Sequence, residues 1–116
     1  MTITRIGTTT RWSDMVIHDG TVYVVEVPST LDADLTTQTR EVLASLEASL
    51  EQAGSSKSHL LMVTIFLADI GGLDAFNAVW DAWVPAGTAP VRACVQARLG
   101  NPDYKVELQV TAAIGE

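Results

Sequence analysis

The residues with the clearest capacity for chemistry lie near the C-terminus, in the stretch Ala89-Pro90-Val91-Arg92-Ala93-Cys94-Val95-Gln96-Ala97-Arg98-Leu99 and in Glu107 beyond it. The planar guanidinium of Arg92 matches two oxygens at once and can anchor a substrate carboxylate. A glutamate facing the same cavity, such as Glu107, can hold and deprotonate a water molecule. Read from spacing alone, the simpler account of both residues is a pair of polar groups on a wet face, or an intersubunit salt bridge. Cys94 is the single cysteine. A lone cysteine on a strand is more often packing than catalysis, and it excludes both an intramolecular disulfide and a CxxC redox or zinc pattern. His18 and His59 have no partner at ligand spacing, so no metal is expected.

These residues need strands to position them. Alternation along Pro90–Leu99 sends Val91, Ala93, Val95, Ala97 and Leu99 to one face and Arg92, Cys94, Gln96 and Arg98 to the other. In a last strand over Lys105–Ala113, Val106, Leu108 and Val110 take the core face and Glu107, Gln109 and Thr111 the opposite one. On this reading Arg92 and Glu107 share a sheet face that the helices leave uncovered. A simple hairpin through Gly100-Asn101-Pro102-Asp103 would pair Glu107 near Ala97, about five residues from Arg92 and more than ~10 Å away. Either the two strands are not hairpin neighbours, or the site is completed in another way.

The remaining elements follow from local signals. Ile3–Gly7 reads as a short edge strand, and Asp14–His18 and Thr21–Val27 as a hairpin closed by Asp19-Gly20. A helix starts near Asp32 or Asp34, either of which can cap it, and buries Leu35, Val42, Leu46, Leu50 and Ala53 before Gly54 stops it. Leu60–Leu67 is a near-continuous apolar run, expected as a strand covered on both faces. A second helix spans Leu73–Trp83, and Pro85 and Gly87 end it. The order strand, strand, strand, helix, strand, helix, strand, strand predicts βαβ crossovers with both helices on one face of the sheet. Trp12 and Tyr23 are expected on strands away from the helices, on a face that a second subunit would bury.

Composition narrows the function. The 116 residues fit one domain, 1–116, and hydrophobic residues make up 47% against 18% charged, which suits a packed globule. No segment reaches the ~20 apolar residues that a transmembrane helix requires, and the Thr-rich start lacks a signal-peptide core, so a cytoplasmic location is expected. Fourteen acidic against seven basic residues leave a formal charge of −7, which disfavours nucleic acid as a partner.

The segments Ala89-Pro90-Val91-Arg92-Ala93-Cys94-Val95, Ala97-Arg98-Leu99 and Lys105-Val106-Glu107-Leu108 resemble the C-terminal signature of the reactive-intermediate deaminase (RidA, or YjgF) family. Trp12-Ser13-Asp14 looks like that family's Tyr-Ser-Gln, and Asn77 falls where the family commonly has asparagine. Arg11-Trp12-Ser13-Asp14 and Phe66-Leu67-Ala68-Asp69 resemble a short bacterial branch of it. The resemblance implies an α+β, chorismate-mutase-like mixed sheet with two helices packed on one face, assembled as a homotrimer with clefts between subunits. It also implies hydrolysis of enamines and imines such as 2-aminoacrylate to 2-keto acids and ammonia, without metal or organic cofactor. Arg92 would then bind the substrate carboxylate, Glu107 would position the water, and the backbone at Cys94 would contact the substrate nitrogen or the water. Trp12, Val25, Glu26 and Asn77 would contribute to substrate binding. Two departures stand out: Trp12 replaces the family's tyrosine, and Val25-Glu26 replaces a Ser-Gly. Glu26 either brings negative charge to the cleft and repels carboxylates, or points away as a solvated strand residue. A non-catalytic 2-keto-acid-binding module of the same fold is the alternative function. Ribonuclease or translation inhibition, reported for some relatives, is disfavoured by the charge.

Overall fold

The structure is a computed structural model and describes residues 2–115. Its elements run β1 (Ile3–Ile6), β2 (Met15–His18), β3 (Thr21–Glu26), α1 (Leu35–Gln52), β4 (Leu60–Leu67), α2 (Leu73–Trp83), β5 (Val91–Gln96) and β6 (Val106–Ala113), with short 3-10 turns at Lys57–His59 and Ile70–Gly72.

Local chemistry explains most of the boundaries. Asp19 and Gly20 both take positive φ, 52° and 76°, the conformation a two-residue hairpin turn demands. Asp34 caps α1 by accepting from the Thr37 N–H at 2.9 Å, and Gly54 follows the helix at φ +82°, where a Cβ would be strained. Strand β5 is shorter than the expected Pro90–Leu99 because its partner ends first. The Ala97 N–H donates to the Leu67 carbonyl at 3.0 Å, and β4 supplies nothing beyond.

The six strands form one mixed sheet in the order β1-β2-β3-β6-β4-β5. Strand β6 pairs antiparallel with both β3 and β4, so β3 and β4 are parallel but held apart by it, whereas β4 and β5 are parallel neighbours. The predicted helix crossovers are therefore present, and the last two strands are not hairpin partners, since β4 lies between them. Both helices pack on one face. Val42, Leu43, Leu46 and Leu50 of α1 and Phe76 and Trp80 of α2 meet Val22, Val24, Val63, Ile65, Leu67, Val106, Leu108 and Val110 from the sheet.

The molecule is 20 Å thick along its shortest axis, enough for one sheet and one helix layer. The opposite sheet face has no covering layer among the described residues. This corrects the expectation that Leu60–Leu67 is covered on both sides: Val63, Ile65 and Leu67 are buried while Met62 is 51% exposed. Tyr23, Val25, Met62, Val91 and Val95 are large apolar residues exposed on this sheet, and the strand registers place them all on its open face. No helix is long and apolar enough to cross a membrane among the described residues.

Candidate functional site

Arg92 stands on the outer strand β5, opposite Val63 of β4. Val63 is fully buried beneath the helices, and Cα partners share a face, so Arg92 is on the helix side of the sheet, not on the open side. The contacts agree. Its Nη1 donates to Oδ1 of Asn77 at 2.8 Å, and its guanidinium carbon lies 5.6 Å from the centre of the Trp80 ring. Both partners belong to α2. A hydrogen bond and a cation–π contact thus hold the guanidinium from two sides while the residue stays exposed.

Cys94 is opposite Ile65 and shares this face, half-buried. Burial pushes its thiol above the ordinary range, with the Arg92 charge pulling the other way. A raised thiol pKa keeps the sulfur protonated and weakly nucleophilic. Gln96, the third member of the row, accepts from the Ile70 N–H at 3.0 Å and so anchors the turn that leads into α2.

Glu107 lies on the other side. Its partner in β4 is Phe66, and it is half-buried on the open face. The expectation that Arg92 and Glu107 share one face is therefore overturned. Arg92 is level with Val63 and hence with Val110 in β6, three positions from Glu107. That separation is about 10 Å along the strands and about 10 Å across two strand spacings, on opposite faces. The error came from taking Val91, Ala93 and Val95 as core. In this edge strand the apolar row faces the uncovered side, and the polar row lies against α2.

Near Glu107, the open face carries a cavity of about 420 Å³ lined by Trp12, Ser13, Asp14, Val25, Val27 and Tyr104. The β3–β6 ladder ends with Glu26 opposite Leu108, and continued by one residue it sets Val27 opposite Glu107. Trp12 is 59% exposed and lies in the loop between β1 and β2, not on a strand. That loop is closed by Thr9, whose N–H donates to the Trp12 carbonyl at 2.7 Å and whose Oγ1 accepts from the Trp12 N–H at 3.2 Å. Val25 is half exposed.

Glu26 points away from the open face, one of the two orientations expected of it, but it is buried rather than solvated. Pairing with buried Leu108 turns it to the helix side, where it is buried. It accepts from Ser45 Oγ at 2.6 Å and Ser49 Oγ at 2.9 Å, one turn apart on α1. Burial raises its carboxyl above the ordinary 4.5; the two serine hydrogen bonds oppose this, and the charge of Asp14 adds to it. Glu26 is thus withdrawn from the open face. Its fate was legible in the period-two pattern, because residues 22, 24 and 26 share a face, and in the serines four apart on α1. Sequence reading gave no site role to Tyr104 or Trp80, which no local motif marks, nor to Asp14, which it met only as the last residue of Trp12-Ser13-Asp14.

Comparison with known proteins agrees with this fold. A family model described as Endoribonuclease L-PSP matches residues 2–114. The chain is 55% identical over 114 residues to a RutC family protein, YoaB, of Escherichia coli strain K12, covering 98% of this chain and 100% of that protein. It is 41% identical over 113 residues to a RutC family protein of Haemophilus ducreyi, with 97% of each covered. Among solved structures, a member of the YjgF protein family from Neisseria meningitidis superimposes with a TM-score of 0.96 at 41% identity, covering 100% of this chain and 98% of that one.

Proposed function

Because the chain belongs to the RidA (YjgF) family, we propose that it hydrolyses reactive enamine and imine intermediates of the 2-aminoacrylate type to 2-keto acids and ammonia, in a cleft between subunits of a homotrimer. The observation that carries this reading is the fixed, exposed guanidinium of Arg92, braced by Asn77 and Trp80. A guanidinium held in this way takes a carboxylate with little further loss of side-chain freedom.

The chemistry asks little of the protein. An enamine tautomerises to its imine; water adds to the imine carbon as the nitrogen gains a proton; the carbinolamine collapses to a ketone and releases ammonia. Arg92 would anchor the carboxylate, Glu107 would take the proton from the attacking water, and the Cys94 backbone would meet the nitrogen or the water. Within one chain the Arg92 half and the Glu107 half lie on opposite faces, so one copy's Arg92, Asn77 and Cys94 would have to meet another copy's Glu107, Trp12 and Val25. The apolar open face supports such an assembly, since an uncovered sheet of this composition is stabilised by burial against another copy.

A non-catalytic 2-keto-acid-binding module is the second reading, and its main support was a negative charge beside the cleft. Glu26 is buried under α1, which removes that charge from the open face and favours turnover. The family model's description names an endoribonuclease; the formal charge of −7 gives this chain little to hold phosphates with.

Ammonia release from freshly generated 2-aminoacrylate tests the proposal. Acceleration over buffer that falls by at least about 10-fold in Arg92→Ala, with assembly intact, is the expected result. Binding of 2-keto acids without any acceleration would establish the binding module instead.

A further inference from the structure

The cavity on the open face combines three features. Two aromatic rings, Trp12 and Tyr104, form flat walls; two valines, Val25 and Val27, line the remainder; and Ser13 and Asp14 are its polar members. A ring face attracts a cation, and a carboxylate beside it adds a direct charge. The Asp14 carboxylate packs against the backbone of Gly7, where an added Cβ would come within 2.0 Å of its Oδ2. Gly7, at φ +67°, thus leaves the room that Asp14 occupies. Asp14 has no basic partner: the one ion pair among the described residues is Lys57 with Glu47 at 3.6 Å.

We propose that this cavity binds a guanidinium or alkylammonium group. Resting on the deaminase reading, the inference makes the selected substrates 2-imino acids whose side chain is an apolar stem ending in a positive charge. The valines and the rings take the stem, and Asp14 and the ring faces take the tip. Acidic side chains are excluded by the same charges, since Asp14 and Glu107 both carry carboxyl groups on this side of the sheet.

The discriminating pair is arginine and citrulline, whose side chains have nearly the same shape but end in a guanidinium and a neutral urea. Their 2-imino acids, generated in situ by an amino-acid oxidase, are compared for ammonia release by kcat/KM, with the imine from glutamate as the anionic case. The expected order is arginine over citrulline over glutamate, with an arginine-to-citrulline ratio of about 10, the factor that ~1.4 kcal/mol of cation–π and carboxylate attraction gives. Asp14→Asn is expected to bring that ratio towards 1, and Tyr104→Leu to reduce it. A wild-type ratio of 1 or below, or a ratio unchanged by Asp14→Asn, overturns the inference while leaving deamination intact. If no imine is turned over, the deaminase reading fails and the cavity is tested directly. Propylguanidinium is expected to shift the Trp12 indole N–H resonance in wild type and not in Asp14→Asn, and propylurea to leave it in place. The absence of that shift overturns the inference.

Discussion

Arg92 is set by Asn77: the 2.8 Å hydrogen bond from the guanidinium to the side-chain oxygen crosses from the edge strand to α2 and fixes which way the charge points. Removing the guanidinium in Arg92→Ala is expected to lower kcat/KM for 2-imino acids by about 10- to 100-fold, the scale of a lost charge-assisted pair. Asn77→Ala leaves the charge in place but frees it to move, so a higher KM with a smaller change in kcat is expected. Steady-state kinetics on the two variants separate these effects; equal losses in both parameters for both variants would contradict the positioning role.

Glu26 makes a pH-dependent contribution. Unfolded, its carboxyl releases a proton near the ordinary 4.5; folded, burial holds the proton to higher pH. Between the two values the native state binds more protons than the unfolded one, so stability falls as pH rises through that window. Glu26→Gln keeps a group that can hydrogen-bond to the serines and removes the titration. The melting temperature of the variant relative to wild type is therefore expected to rise from acid towards neutral pH. A difference independent of pH would show that Glu26 titrates normally in the folded protein.

Phe76 is fully buried and stacks on Trp80 with ring centres 6.0 Å apart, while Trp80 lies under Arg92. Phe76→Ala is expected to cost about 3–5 kcal/mol in denaturant unfolding, the range for an emptied aromatic site. The milder Phe76→Leu is expected to retain most of the stability and still weaken substrate binding, because Trp80 loses its backing.

Val91 is 65% exposed on the open face of the edge strand. In a lone chain a charge there would change stability by less than about 0.5 kcal/mol. If that face is buried between copies in the proposed trimer, Val91→Asp is expected to shift the protein towards monomer. Sedimentation velocity reads the outcome, and an unchanged assembly would place the contact elsewhere.

The parts of the fold readable beforehand are those written in adjacent residues. Asp19-Gly20 specifies its turn through positive φ, Gly54 ends α1, and the bounds of α2 at Leu73 and Trp83 follow from apolar spacing and Pro85. The position of β6 between β3 and β4 has no such signature, because it depends on pairings between residues 26 and 108 or 66 and 107. The facing of β5 is ambiguous for a related reason. An alternating pattern reveals an apolar row but not what covers it, and at Val91 and Val95 nothing in the chain does. Arg92 and Glu107 were therefore recognisable by type and neighbourhood, while their relation to one another was not.

The insertion of β6 also dictates how the sheet is built in time. Strands β1, β2 and β3 form a local meander, and β4, α2 and β5 a local unit, but within the sheet the two are joined only through the ladders that β6 makes on either side. During synthesis neither ladder can form until the segment Val106–Ala113 has cleared the ribosome. Until then β3 and β4 each present an unpaired edge to solvent, the condition that invites wrong pairings between nascent chains. Closure on the last strand makes folding a late event dominated by distant contacts, and slow for a chain of this size.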